Sequence, residues 1–508
     1  MSVDASASPA CDVLVAGAGP VGLFLALQLT ARGHSVRVVE ARAGQSEHSK
    51  ALAIMPRTME AFWAAGVSAP FESVALRVNG AAVLTKYEVL ARIPIEPERT
   101  RFDYIAMVPQ DVTERILFEC LVAAGGAVEY GTKLVGLTDT PDGISVRLAT
   151  PHGEEACAAR FVVGCDGAHS TVRGLIGLEF EGGDYEDASF VLFDIDVVGD
   201  APTDGVVMCP SRAGPLALFP IGPSRRRLAA AVAKDFSREP TLDLANELIA
   251  ERGPWNLGAS NLHWASTFRI RERQTPSMDK GSVFLAGDAA HVHSPFGGQG
   301  MNTGLQDAFN LAWKLDYVLE GFGTDGLLPS YTAERHRIAK NVIRLTNAMT
   351  RVMASSNGFV QALRDYAIPR LSDNAMLRKF FVATLTELRV NYAHSPIVEG
   401  PGRRALDEGI RSGDGERRLY DVIAGRYTLV YPASAPAAVA AAFEDFVLRY
   451  GGAVRAVSSD EAGAPFVRLV RPDAYLALEA ALPGPDPTPV IERLARVLAT
   501  HVRQGGGK

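Results

Sequence analysis

Residues 12–40 leave this chain few ways to fold. Asp12 to Ala16 (DVLVA) reads as a buried strand, and Gly17-Ala18-Gly19-Pro20-Val21-Gly22 follows at once. An apolar helix runs from Leu23 to about Ala31, Gly33 ends it, and Ser35 to Val39 forms a second strand closing on Glu40. Strand, glycine turn, helix, strand and acid in this order are the fingerprint of a dinucleotide site. Gly17 permits the tight turn, Gly19 (with Pro20 beside it) admits a pyrophosphate, and Gly22 lets helix and strand pack closely. Glu40 stands where it accepts hydrogen bonds from the adenosine ribose hydroxyls.

A second constrained stretch lies at 281–315. A strand-like run, Ser282 to Ala286, ends in Gly287-Asp288, and a loop containing Pro295, Gly297, Gly298 and Gly300 follows. Asn302 then opens a helix whose apolar residues Leu305, Ala308, Phe309 and Ala312 keep the helical period, so one face is buried. The loop brings bare backbone N–H groups and a helix N-terminus to one place, which stabilises negative charge on a ligand pressed against it. A reduced flavin needs this at the pyrimidine end of its ring. Two half-sites so far apart suit a long dinucleotide, FAD. No second GxGxxG in strand context offers a nicotinamide a resident place.

At 508 residues the chain is too long for one core, so two or three domains are expected. Its 47% hydrophobic and 21% charged composition is that of a globular protein, and a net charge of −7 argues against a nucleic-acid partner. The basic run Arg225-Arg226-Arg227 reads as a solvated turn. Cys11, Cys120, Cys157, Cys165 and Cys209 show no CxxC and no metal spacing, as buried thiols of a reducing cytoplasm would. No run of about 20 apolar residues suggests a membrane span. His291 and His293 tempt a metal reading, but nothing near them completes a ligand set, so no metal is expected.

The pattern divides the chain into a nucleotide-binding unit in three parts (1–71, 107–179 and 276–395), an inserted sheet in two (72–106 and 180–275) and a tail (396–508). Residues 1–10 are small and polar and read as disordered. The two inserted parts are expected to build one mixed sheet over the nucleotide unit, with the substrate pocket between them. A helix is expected from Asp111 to Ala124, with Asp111 as N-cap and Glu114 completing a capping box. Residues 331–393 read as helical. In the tail, strands at Tyr427–Tyr431, Ala453–Val457 and Phe466–Val470 alternate with helices at Ala435–Tyr450 and Pro489–Val502, and the tail holds no cysteine.

Several of these pieces carry a resemblance. GAGPVG (17–22) with Glu40-Ala41-Arg42, KALAIMPRTMEAF (50–62), MVPQDVTERIL (107–117), GCDGAHSTVR (164–173) and GDAAHVHSPFGGQGMNTGLQDAFNLAWKL (287–315) stand in the right order. Together they resemble the single-component FAD-dependent aromatic hydroxylases of the para-hydroxybenzoate hydroxylase fold. The tail, with LVRPDAYLAL (469–478), is similar to the thioredoxin-like domain of the longer phenol hydroxylase and polyketide hydroxylase branch. The resemblance implies a Rossmann-like α/β FAD-binding domain, an inserted mixed-sheet substrate domain and a small α/β tail. It implies that Arg42 and Gln110 contact the adenosine and pyrophosphate of FAD, with Asp166 near the pyrophosphate and Asp288 on the ribityl chain. Pro295 falls beside the reactive face, and Gly298, Gly300, Met301 and Asn302 present N–H groups to the N1–C2=O edge. Lys50 stands where the family usually has arginine, keeping the charge without the planar fork.

The reaction implied is hydroxylation of a phenolic or polycyclic aromatic by a flavin C4a-hydroperoxide, with NADPH or NADH and O2 as co-substrates. The catalytic base is not legible. Tyr104, Tyr185 and His263 lie in segments near the expected pocket but read as packing residues. Baeyer–Villiger or epoxidising chemistry, drug inactivation, and a flavin dehydrogenase without oxygen transfer stay open, as does a homodimer.

Overall fold

The computed structural model describes residues 11–505 apart from 47, 48, 50, 86, 87, 98, 200–204, 212, 255, 295, 296, 354, 356, 413, 414, 424, 461–465 and 483, and apart from the side chains of 184–188, 269–271, 365, 369, 371, 372 and 412. The expectations for residues 1–10, Lys50, Pro295 and the side chain of Tyr185 lie outside what it describes.

Cys11–Ala16 is the centre of the first sheet, parallel to Val36–Glu40 on one side and Gly153–Gly164 on the other. Val128–Tyr130 and Val283–Leu285 extend this parallel core outward. Strands buried on both faces need apolar residues at every position, and Val13, Leu14 and Val15 are all fully buried. The helix Pro20–Thr30 packs across the sheet beside the long helix Gln299–Leu319, with Phe24 stacked on Phe309 at 6.2 Å.

The second sheet joins both inserted parts. Its order runs His291–Val292, Leu257–Gln274, Glu181–Gly199, Arg225–Val232, Leu216–Pro220, Val206–Cys209, Gly80–Leu84, Val89–Pro94. The pairing of Val206–Cys209 with Gly80–Leu84 is parallel and the other pairings are antiparallel, so the sheet is mixed as expected. Helix Leu242–Arg252 covers one face, where Phe193, Ile195, Leu244 and Leu248 share a core. Not all of 72–106 belongs here. Leu76–Val78 pairs with Ile105–Met107, which also pairs with Ala53–Ile54, in a separate three-stranded sheet.

The tail forms a six-stranded sheet. Tyr427–Pro432 is parallel to Val454–Ser459 across the helix Ala437–Leu448, and antiparallel to Phe466–Val470, which turns into Leu476–Ala481. Helix Thr488–Ala499 closes it. This βαβ unit followed by a hairpin and a helix is consistent with a thioredoxin-like module. Before the tail in chain order come the helices Ser330–Met353, Gly358–Asp373 and Ala375–Leu385. Among the described residues no helix is long and apolar enough to cross a membrane.

Three local expectations are corrected. Asp111 caps nothing: the helix runs Gln110–Ala123 from Pro109, and the Glu114 carboxylate accepts from the Gln110 side chain instead of reaching back as a capping box. The long helix starts at Gln299 rather than Asn302, because Gly298 takes the N-cap. Arg225-Arg226-Arg227 is no solvated turn but part of a strand. There Arg226 is spent on the Gly222 carbonyl and Arg227 on Asp194, and both are buried because their guanidinium groups are paired.

Candidate functional site

The glycine turn is held from both ends. Gly17 has φ of +105°, a region that favours glycine, and a Cβ there would collide with the Cys165 carbonyl. Gly19, by contrast, faces open space where a Cβ would point. It N-caps the helix Pro20–Thr30 with no side chain, so nothing of its own covers the first N–H groups. Glu40 closes the turn from the second strand: one carboxylate oxygen accepts from the Ala18 N–H at 2.8 Å, the other from the Arg42 N–H at 2.9 Å.

Around Glu40 a polar cluster forms. Arg42 lies 3.1 Å from Glu40 and 3.5 Å from Glu114. The Gln110 side chain donates to Glu114 at 2.9 Å and accepts from the Ala51 N–H at 3.1 Å. Burial pushes the Glu40 carboxyl up, but Arg42 and the two backbone N–H groups outweigh it and hold it below its ordinary range. Burial wins at Glu114, whose carboxyl is raised against the pull of Gln110 and Arg42. Sequence reasoning saw Glu114 only as a helix cap, since nothing in the spacing marks it as the partner of an arginine far upstream.

Asp166 is bound up in its own turn. It accepts from the Ser170 hydroxyl at 2.5 Å and from the N–H groups of Thr171 and Val172, while Gly167 takes φ of +79°. Arg173 ties this turn to the next by donating to the carbonyls of Ala168 and Ala289, each at 3.0 Å. Asp288 is exposed on the short turn Gly287–Ala289 beside it.

At the far end, Gly298 has φ of +64° and caps Gln299–Leu319 without a side-chain hydrogen bond. The second turn of this helix packs against the start of the first helix: a Cβ on Gly304 would meet Val21 at 2.8 Å and Gly287 at 3.0 Å. Gly300 and Met301 are partly exposed in the first turn. Asn302 is fully buried and its side chain is saturated. It donates to the carbonyls of Ala53 and Gly298 and accepts from the Met55 N–H, all at 2.8 Å. Its amide therefore fastens strand Ala53–Ile54 to the helix start, a role sequence could not show because the partners lie some 250 positions away.

Next to this end sits an apolar cluster contributed by several elements. Leu52, Met55 and Met107 meet Met208 and Phe219 of the large sheet and Ile221 just beyond it, with Val382 and Leu385 from the helix Ala375–Leu385. The other candidates fall elsewhere. His263 pairs with Asp196 at 2.9 Å on an exposed stretch, and the Tyr104 ring lies under Arg77 at 4.6 Å. His291 is spent on Asp307 at 2.7 Å. Burial and the neighbouring His291 pull the His293 imidazole down to about 4. Among the described residues no grouping of His, Cys, Asp or Glu fits a metal ion.

A family model described as an FAD binding domain matches residues 10–346. The chain is 35% identical over 415 residues to a rifampicin monooxygenase of Streptomyces venezuelae, covering 81% of this chain and 84% of that one. The chain belongs to this family of FAD-dependent monooxygenases. Its fold matches the anhydrotetracycline hydroxylase of Streptomyces rimosus with a TM-score of 0.80 and 29% identity, over 98% of this chain and all of that one. It matches aklavinone-11 hydroxylase, solved in a ternary complex with FAD and aklavinone, with a TM-score of 0.77 and 26% identity, over 97% and 100% of the two chains.

The residues present fit FAD. Two helix N-termini are capped by glycines that make no side-chain hydrogen bond to them, and each is a place for negative charge. Bound there, FAD would supply the redox chemistry by which NAD(P)H and O2 hydroxylate an aromatic substrate.

Proposed function

We propose that this enzyme hydroxylates a phenolic, polycyclic aromatic of polyketide type, held against the apolar cluster between the large sheet and the flavin end. The observation that carries this is the cluster itself. Its partly buried members include Ala53, Met208, Phe219, Ile221 and Leu385, drawn from the small sheet, the large sheet with the chain leaving it, and the helix Ala375–Leu385, and Ala53 and Leu385 lie beside Gly298 and Gly297. A flat apolar molecule suits methionine and aromatic walls, since Met adapts to irregular shapes. The tetracycline and aklavinone hydroxylases among its relatives support the same class.

On this reading Gly17, Gly19, Pro20 and Gly22 cradle the pyrophosphate, with Asp166 holding the adjoining turn. Glu40 receives the ribose, while Arg42 and Gln110 flank the adenosine half. Asp288 takes the ribityl chain. The N–H groups of Gly298, Gly300, Met301 and Asn302 meet the pyrimidine edge, where they stabilise negative charge without reorganising. Burial pushes the five thiols upward, Cys11 and Cys209 to about 12, which argues against thiol chemistry; that all five are free supports a cytoplasmic setting. The net charge of −7 supports a small-molecule rather than a nucleic-acid partner. We also propose a homodimer through the helices Gly358–Asp373 and Ala375–Leu385.

The deciding experiment follows NADPH oxidation in air with a panel of phenols, naphthoquinones and anthraquinones, using labelled O2. Stimulation by a polycyclic phenol with one labelled oxygen on its ring is the expected result. A labelled lactone or epoxide would replace hydroxylation by the corresponding chemistry. Turnover with an artificial acceptor and no label in any product would leave a dehydrogenase instead.

A further inference from the structure

The segment LVRPDAYLAL belongs to the tail, yet its turn reaches into the middle of the molecule. Between the strands Phe466–Val470 and Leu476–Ala481 the chain turns tightly through Arg471 to Tyr475, with Ala474 at φ of +62°. Arg471 and Asp473 are buried, and Arg471 is held by Asp473 at 2.7 Å and by both oxygens of Glu334 at 2.6 and 2.9 Å. Lys314 and Asn310, on the long helix, donate to the same Glu334 at 2.7 and 2.8 Å. Asn310 also donates to Asp473 at 2.9 Å.

The long helix carries buried polar residues at a spacing of four: Asn302, Gln306, Asn310 and Lys314. A spacing of four keeps them on one face, and twelve residues span about 18 Å. One end of this row binds the tail turn; the other is Asn302, fastened to the strand Ala53–Ile54.

A second connection runs through Arg57, two residues after Met55. Arg57 is 1% exposed, and the tail holds its guanidinium group. It donates to the Asp473 carbonyl at 2.8 Å and to the Tyr475 hydroxyl at 3.2 Å, and lies 4.5 Å over the Tyr475 ring. Glu60 closes the set at 2.9 Å. Both routes end on the same short strand, one from the helix side and one from the chain that leaves it.

We infer that Asp473 and Tyr475 of the tail are positioning residues for the flavin-facing strand Ala53–Ile54, acting through Arg57 and through the polar row of the long helix. The inference rests on the proposed reading that the flavin's pyrimidine edge lies at the Gly298 helix start, to which Asn302 ties that strand. The tail is then more than a packed appendage, because it sets the wall against which ring and substrate are aligned.

The test compares two variants that each remove one buried hydroxyl from the same interface. Tyr475→Phe removes one of the acceptors of Arg57. Tyr317→Phe removes a hydroxyl that donates to the Ala453 carbonyl and accepts from the Tyr427 N–H, at the opposite end of the long helix from Asn302. The readouts on holoenzyme are the visible spectrum of the bound flavin, its dissociation constant by fluorescence on dilution, and the fraction of NADPH oxidation released as peroxide. Tyr475→Phe is expected to weaken FAD about tenfold, shift the spectrum and raise peroxide release, as loss of a hydrogen bond to a charged group would. Tyr317→Phe is expected to lower the melting temperature only. Equal flavin readouts in the two variants overturn the positioning role. A wild-type protein that binds no FAD removes the cofactor reading beneath it, and the two failures are thereby told apart.

Discussion

Glu387 shows how one residue can carry chemistry that no motif announces. It is buried with φ of +61°, a backbone region that costs a side chain such as Glu some strain. One carboxyl oxygen accepts from the Gln306 amide and the other has no partner. Burial pushes this carboxyl up to about 8, against the pull of Arg335, Gln306 and Arg57. The folded protein therefore holds a proton at Glu387 that the unfolded chain releases above its ordinary value of 4.5. The contribution to stability is complete below 4.5 and is lost as pH rises through about 8. Glu387→Gln is neutral throughout and removes this dependence. Between pH 5.5 and 7.5 wild-type stability should fall relative to the variant by up to about 1.4 kcal/mol per pH unit, the ceiling for one proton. Melting temperatures of both proteins at both pH values check this, and parallel shifts would show that Glu387 is ionised in the fold.

At the scale of elements the long helix Gln299–Leu319 is the part that joins the others. Its apolar face was legible from Leu305, Ala308, Phe309 and Ala312, all of which are buried. Its opposite side was not: Asn302, Gln306, Asn310 and Lys314 resemble a solvated face by type, and only distant carboxylates and carbonyls make their burial tolerable. The same contrast holds for the whole site. Local signals marked the glycine turn, Glu40 and the glycine-rich loop before the long helix, since backbone geometry and short spacing dictate them, but they placed the helix start at Asn302 rather than Gln299. Long-range partners such as Glu114 for Arg42, or the tail for Arg57, leave no mark on either segment alone. Asn302→Ala tests what the helix start contributes. It leaves the buried Met55 N–H and Ala53 carbonyl without their partner, a loss of about 1–3 kcal/mol. Stability should drop by that amount and FAD should dissociate faster, by melting temperature and flavin fluorescence. An unchanged flavin affinity would confine Asn302 to packing.

On the scale of the molecule, one face remains unaccounted for by fold or site. Phe359, Tyr366, Met376 and Phe380, on the helices Gly358–Asp373 and Ala375–Leu385, are between 53% and 80% exposed. Val352, Leu363, Leu377 and Phe381 add to the same region. Aromatic side chains carry about 150–250 Å² each, so this face offers several hundred Å². With the exposed methionine and aliphatic neighbours added, that reaches the upper end of the ~300–600 Å² patch of an ordinary monomer and approaches the ~800 Å² one partner contributes to a stable interface. Charge of both signs accompanies it, Arg370, Lys379 and Asp373 among them, which suits a self-complementary contact between two copies better than a surface of one sign. The tail, by comparison, exposes Leu448 and Phe466 on separate elements. Light scattering during gel filtration should give twice the chain mass for wild type and one chain mass for a Phe359→Ser, Met376→Ser double variant. Because neither residue belongs to the apolar cluster beside the flavin end, the variant should keep its bound FAD. A wild-type protein that elutes as a monomer at micromolar concentration would assign this face to some other partner.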